Sequence, residues 1–222
     1  MAFDFEPSII LETAPQLLGG MKLTLIITLG GLLVGLLLGV VTGLANTSRS
    51  RFLRGIAILY IEAIRGTPLI VQVMFLYFGL PLALGMRIPP DVAGVIAIGV
   101  NSGAYVAELI RGGIMAIDKG QLEAGRSLGF DYVQTMRYII MPQAFKNVLP
   151  ALCNEFVVLL KETSVAGYVA VQDLTKGGDI IRSRTYDAWT PLLIVAAVYL
   201  ALTMIFNHFA QNLERSLRKN ER

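Results

Sequence analysis

Long apolar stretches broken by short polar ones set the pattern of the chain. Residues 23–44 carry no charge. A bilayer core of ~30 Å needs about 20 apolar residues of helix, so this stretch predicts a first membrane span. It starts too late and runs too long for a signal peptide, and no small-residue cleavage site sits where one would be expected. Residues 56–84, 92–110, 148–171 and 191–209 read as four further spans, the second and fourth with charges inside them. The pattern predicts an all-α integral membrane protein with five transmembrane helices, organised as one transmembrane domain over residues 1–222.

The polar positions inside these stretches are informative because lipid offers them no partners. In the first span Gly31, Gly35, Gly39 and Gly43 recur every four residues. They form a helix face that another helix can approach closely, either within this chain or from a second subunit. In the second, Glu62 and Arg65 are three apart and can pair on one face. Gly66, Thr67 and Pro68 follow. Pro68 has no N–H for the carbonyl of residue 64, which predicts a kink or a broken turn. In the third, Asn101, Ser102, Tyr105 and Glu108 form a polar stripe. Asn101 and Ser102 are read as lining a path in preference to helix-to-helix bonding, and Glu108 as pairing with Arg111 or reaching solvent. The fourth carries Asn154 and Glu155, then Lys161, Glu162, Thr163, Ser164 and Gly167. A broken helix fits that polar run. Adjacent Lys161 and Glu162 point in different directions, able to meet the two charges of a zwitterion separately or to pair with other spans.

Composition agrees with a chain solvated by lipid. Hydrophobic residues make up 55% and charged residues 16%, where a soluble domain has about 25% charged. The net charge of +3 is too small to argue for nucleic acid as a partner. One cysteine, Cys153, and one histidine, His208, argue against a disulfide, a zinc site or a histidine triad. Cys153 reads as a small buried apolar residue, and His208 as a satisfied residue near the inner interface. Twelve of the nineteen Lys and Arg fall between spans one and two, between spans three and four, and in the tail that includes Arg215, Arg218, Lys219 and Arg222. That bias predicts the N-terminus outside and the C-terminus in the cytoplasm. Residues 172–187 become an outer loop, with a short helix on the surface, and Trp189 an anchor at the outer interface.

The cytoplasmic stretch 118–150 is long for a turn. Residues 119–128 read as a short helix stopped by Gly129. Asp131 can cap a second helix over 132–140, ended by Pro142. The apolar residues Leu122, Leu128, Val133, Met136 and Ile139 cannot all be buried in so small a unit, so the spans or another protein must cover them.

Glu123, Ala124 and Gly125, then Gly129, then Ile139, Met141 and Pro142 have the spacing E-A-A-x3-G-x9-I-x-L-P. This resembles the cytoplasmic coupling loop of permease subunits of bacterial ABC importers. Gly125 stands for Ala and Met141 for Leu, and Gly125 should slightly loosen the first helix. Residues 62–68, 101–112 and 154–164 are similar to span motifs of polar amino-acid permeases, a group with the type I importer fold. The resemblance covers roughly residues 15–215. It implies a second permease subunit, identical or homologous, two cytoplasmic ATPases beneath, and an extracytoplasmic amino-acid-binding protein. The implied setting is the bacterial cytoplasmic (inner) membrane, with five spans and the N-terminus outside. The implied cargo is a polar L-amino acid, glutamine-like or basic, moved by alternating access. The implied path residues are Thr67, Asn101, Ser102, Lys161, Glu162 and Ser164. The chain has no G-x-x-x-x-G-K-[ST] phosphate loop, so ATP and Mg belong to the partner and no cofactor or catalytic residue is expected here. Two other readings stand beside this one. One is an ATP-independent secondary transporter or channel using the intramembrane carboxylates. The other is a non-transporting membrane scaffold.

Overall fold

A computed structural model describes the backbone of residues 7–219 and the side chains of residues 13–215. The side chains of Arg218, Lys219 and Arg222 lie outside the described residues. Among the described residues all regular structure is helical. The first helix, α1 (Pro7–Asn46), is 40 residues long, about 60 Å at 1.5 Å per residue and twice the bilayer core. It begins well before the start of the predicted span. Its early turns have their own support: Leu17 packs with Leu174 and Ile181, and the Thr24 hydroxyl accepts from the Leu174 N–H at 3.1 Å.

The two long faces of α1 differ as its sequence dictates. Leu29, Leu33, Leu37 and Val41 recur every four residues and are exposed, as lipid-facing positions are. On the glycine face, Gly31 meets Ile98 and Gly99, Gly35 meets Ser102 and Gly103, and Gly43 meets Ala107 and Ile110. These partners all lie on α5 (Pro90–Met115). A Cβ on Gly35 would stand 2.7 Å from the Ser102 hydroxyl oxygen. The glycine stripe is therefore a packing face within the chain.

The region predicted as the second span is bent. Helix α2 (Arg51–Arg65) is capped by the Ser50 side chain, which accepts from the Leu53 N–H. It stops before Pro68, because a proline ring disfavours helical geometry at the preceding residue. A new run then forms from α3 (Leu69–Met74), a π turn (Phe75–Gly79) and α4 (Leu80–Leu84), closed by Gly85 at φ +65. The two runs meet at 101°. A break replaces a mild kink because Gly66 and Pro68 flank Thr67, leaving little side chain to resist the turn.

The unit read from the sequence as cytoplasmic consists of α6 (Lys119–Ser127) and α7 (Tyr132–Thr135). Here one expectation is corrected. Pro142 does not end the second helix. A π turn (Met136–Ile140) runs directly into α8 (Met141–Glu162), with Pro142 in the first turn of α8. The wider turn removes the need for an N–H on Pro142 and spares the clash of its ring with the carbonyl four residues back. Pro81 follows the π turn of residues 75–79 in the same way. Helix α8 gives way at Thr163 to a 3-10 turn (Thr163–Val169), so the change of helix type falls within the polar run expected to break. Then follow α9 (Leu174–Thr185), in the predicted outer loop, and α10 (Trp189–Lys219).

Thr13–Asn46, Pro90–Met115 and Trp189–Arg215 are each long and apolar enough to cross a bilayer, and the bent run Arg51–Arg65 with Leu69–Leu84 makes a fourth if it counts as one span. Helix α8 falls outside this group because Lys146, Asn147, Asn154, Glu155, Lys161 and Glu162 interrupt its apolar residues. The main core joins α1, α3, α5, α8 and the 3-10 turn through Ile27, Val73, Ile98, Leu159 and Val169, all fully buried.

Candidate functional site

Two regions collect the polar residues: a junction between helices, and the α6–α7 unit. The junction forms where α2 breaks. The Gln72 amide nitrogen lies 2.7 Å from the Ile64 carbonyl, 3.1 Å from the Thr67 carbonyl and 3.0 Å from the Thr67 hydroxyl. It satisfies backbone groups that the break would otherwise orphan. The Gln72 carbonyl oxygen accepts from the Asn101 amide at 3.0 Å. The hydroxyl of the next residue of α5, Ser102, donates to a Glu155 carboxylate oxygen at 3.0 Å, and both residues are buried. Asn101 is 4% exposed. Both α5 residues therefore bond to other helices.

The other path candidates divide. The Thr67 hydroxyl bonds back to Ala63, and the Ser164 hydroxyl to the Lys161 carbonyl. The exposed Lys161 and half-buried Glu162 side chains form no hydrogen bond or ion pair among the described residues. They stand at the end of α8, where helical type changes.

Glu62 and Arg65 do not pair as their spacing predicts. Arg65 reaches Glu108 at 3.9 Å and lies over the Tyr105 ring at 5.3 Å. Glu108 is held mainly by Arg111 at 2.8 Å and also accepts from Asn46 at 3.3 Å. Glu108 on α5 gathers Arg65 and Arg111, whereas Glu62 on the same helix as Arg65 is exposed.

The α6–α7 unit is built to hold one shape. Gly129 at φ +89 ends α6. Its N–H donates to Arg126 and that of Phe130 to Gly125, closing the helix end with two crossed bonds. Asp131 and Gln134 cap α7 reciprocally. Gly125 is buried, and a Cβ there would meet the Thr135 methyl at 2.6 Å and the end of Ile139 at 2.9 Å. Glycine at this position allows the two helices to cross. Leu122, Met136 and Ile139 are half-buried, while Leu128 and Val133 are 77% and 69% exposed. Glu123 and Ala124 are exposed as well, Met141 half-buried and Pro142 exposed.

A family model described as "Binding-protein-dependent transport system inner membrane component" matches residues 31–219. The chain belongs to that family. The glutamine transport system permease protein of Escherichia coli strain K12 is 40% identical over 215 residues, 96% of this chain and 98% of that one. The arginine transport system permease protein of Bacillus subtilis strain 168 is 39% identical over 221 residues, 100% of each. A crystal structure of an amino acid ABC transporter with histidines superposes with a TM-score of 0.91 at 44% identity, covering 97% of this chain and 100% of that chain. The MetNI methionine ABC transporter in an inward facing conformation shares the fold, with a TM-score of 0.79 at 20% identity over 91% of this chain and 96% of that chain.

Three further residues of this inner membrane component matter structurally and were not singled out by sequence. Gln72 interrupts an apolar run four residues after Pro68, which is a signal, though its partners are not. Arg49 lies 4.2 Å over the Tyr132 ring and ties the turn between α1 and α2 to α7. The Tyr60 hydroxyl donates to the Val100 carbonyl at 2.6 Å and fastens α2 to α5. Neither of the last two follows any local spacing rule.

Proposed function

We propose that this chain is the permease subunit of an ATP-driven importer and forms the translocation path for a polar L-amino acid. Family membership and relatives named for glutamine and arginine transport support the reading. One observation carries it: α7, the π turn and α8 are a single helical path from the cytoplasmic unit to Lys161 and Glu162. The α6 residues Glu123, Ala124 and Gly125 and the joint at Gly129 are packed on the start of this path, so motion imposed on them is passed into α8. The exposed Leu128 and Val133 suit a surface that a partner ATPase covers.

In this reading five spans, counting the bent α2–α4 run and α8, place the N-terminus outside and the C-terminus in the cytoplasm of a bacterial inner membrane. Residues 118–142 form the coupling loop, including Ile139, Met141 and Pro142. Two permease subunits, two ATPases carrying ATP and Mg, and an outer binding protein complete the assembly. Closure of the ATPases moves the coupling unit, α8 follows, and access alternates. Lys161 and Glu162, with no competing bonds, meet the carboxylate and ammonium of the cargo. Thr67, Asn101, Ser102 and Ser164 shape the path around them.

The test replaces Glu123 with Ala, and separately Gly129 with Ala. Each should reduce co-purification of the ATPase and ATP-driven uptake of the amino acid. Normal association together with normal uptake in both variants would sink the assignment. Uptake that survives loss of ATP but collapses with an ion gradient would point to a secondary carrier instead.

A further inference from the structure

A cavity of about 490 Å³ opens on the membrane side of the cytoplasmic unit, between the end of α1, the start of α2, the end of α5, and helices α6 and α7. Its polar wall carries Arg54, Arg111 and Lys119, and its apolar wall includes Ile114, Leu122 and Met136. The charges are unevenly satisfied. Arg111 is committed to Glu108 at 2.8 Å. Asp118, the acidic residue of the lining, caps α6 by accepting from the Gly120 N–H at 2.6 Å. Among the described residues Arg54 and Lys119 have no ion-pair partner. The cavity therefore offers two unspent cations beside an apolar surface. It also lies at the last turns of two apolar helices, α1 at Asn46 and α5 at Met115, a few residues past the spans 23–44 and 92–110 that the sequence predicts, so on that reading it sits near a lipid headgroup.

We propose that this cavity binds the phosphate headgroup of an anionic phospholipid, with Arg54 and Lys119 as its ligands and the apolar wall against its acyl chains. Basic pockets between spans on the cytoplasmic side take such headgroups. A soluble anion would use the cations and leave the apolar wall wet, whereas a lipid uses both. The surface that an ATPase would cover is the other one, with Leu128 and Val133. The lipid would thus brace the coupling unit against the ends of α1 and α5 while leaving its outer surface free.

The experiment uses the full chain, with its partner subunits if they co-purify, in bilayers of phosphatidylcholine or of phosphatidylcholine and phosphatidylglycerol in equal parts. Retention of spin-labelled phosphatidylglycerol relative to phosphatidylcholine is compared for the parent, the double variant Arg54→Gln with Lys119→Gln, and Arg184→Gln on exposed α9. Two cations at roughly 1 kcal/mol each correspond to about a 30-fold loss of preference in the double variant. Arg184→Gln should match the parent. All three are exchanges at exposed positions, and parent-like thermal midpoints would show that the fold is kept. Equal preference in the parent and the double variant overturns the proposal. So does complete displacement of the labelled lipid by millimolar inorganic phosphate, which would make the cavity a site for a free anion.

Discussion

At the scale of single residues the most informative position is Gly125. It departs from the motif it belongs to, and its helix propensity alone argues for replacement, since alanine would gain about 1 kcal/mol in a helix. The packing argues the opposite. The new methyl group would stand 2.6 Å from the Thr135 methyl and 2.9 Å from Ile139, and overpacking costs about 1–3 kcal/mol. Ile139 offers the flexible end of its side chain and can yield. Thr135 is fully buried and its hydroxyl is tied to the Asp131 carbonyl at 2.8 Å, so it cannot. Gly125→Ala should therefore lower the thermal midpoint despite restoring the commoner residue. Adding Thr135→Ser removes the clashing methyl and should recover about 1 kcal/mol of coupling in a double-mutant cycle. Additivity of the two changes would show that the close crossing does not constrain the unit.

At the scale of elements, the break between α2 and α3 depends on Gln72. Its amide reaches the Ile64 carbonyl and both Thr67 oxygens, while its carbonyl serves the buried Asn101. Gln72→Leu should cost about 1–3 kcal/mol, because the Asn101 amide loses its acceptor inside the protein. Gln72→Glu should not rescue it: the carboxylate keeps the acceptor for Asn101 but turns negative oxygen toward backbone carbonyls. Thermal midpoints of the three proteins in one detergent decide this, and a parent-like Glu variant would refute it. Elements of this kind show what the sequence makes legible. The glycine stripe, the interruption at Pro68, the caps at Gly129 and Asp131 and the change at Thr163 are local rules that the structure obeys. The destinations of side chains are not local. Arg65 sees Glu62 by spacing, yet its partner Glu108 lies on another helix and is brought near only when α2 packs on α5. Pro142 reads as a stop because the rule for proline assumes an α-helix, and a π turn suspends that rule. The helix-to-helix bonds of Asn101 and Ser102 are not visible in the sequence because their partners, Gln72 and Glu155, lie far off along the chain.

At the scale of the whole molecule, the question is how motion of the cytoplasmic unit would reach the spans. Three connections leave it. Two are covalent: the short segment 116–118 from α5, and the π turn into α8. The third is the Arg49 guanidinium over the Tyr132 ring at 4.2 Å, which links α7 to the turn between α1 and α2. Without that third connection, α1 is not tied to the unit directly and follows it only through its packing on α5. With it, the end of α1 is drawn along with the unit, and the interlocked glycine faces of α1 and α5 move together. A cation stacked on a ring at an exposed site is worth about 0.5–1 kcal/mol, or roughly 2- to 5-fold in the equilibrium between a linked and an unlinked unit. Arg49→Ala should therefore leave ATPase association intact and lower the amino acid carried per ATP hydrolysed by that factor. Tyr132→Phe keeps the ring face and should behave as the parent. An unchanged transport-to-hydrolysis ratio in Arg49→Ala would leave the covalent connections to α5 and α8 to carry the motion. Loss of the ATPase in that variant would place Arg49 on the docking surface instead.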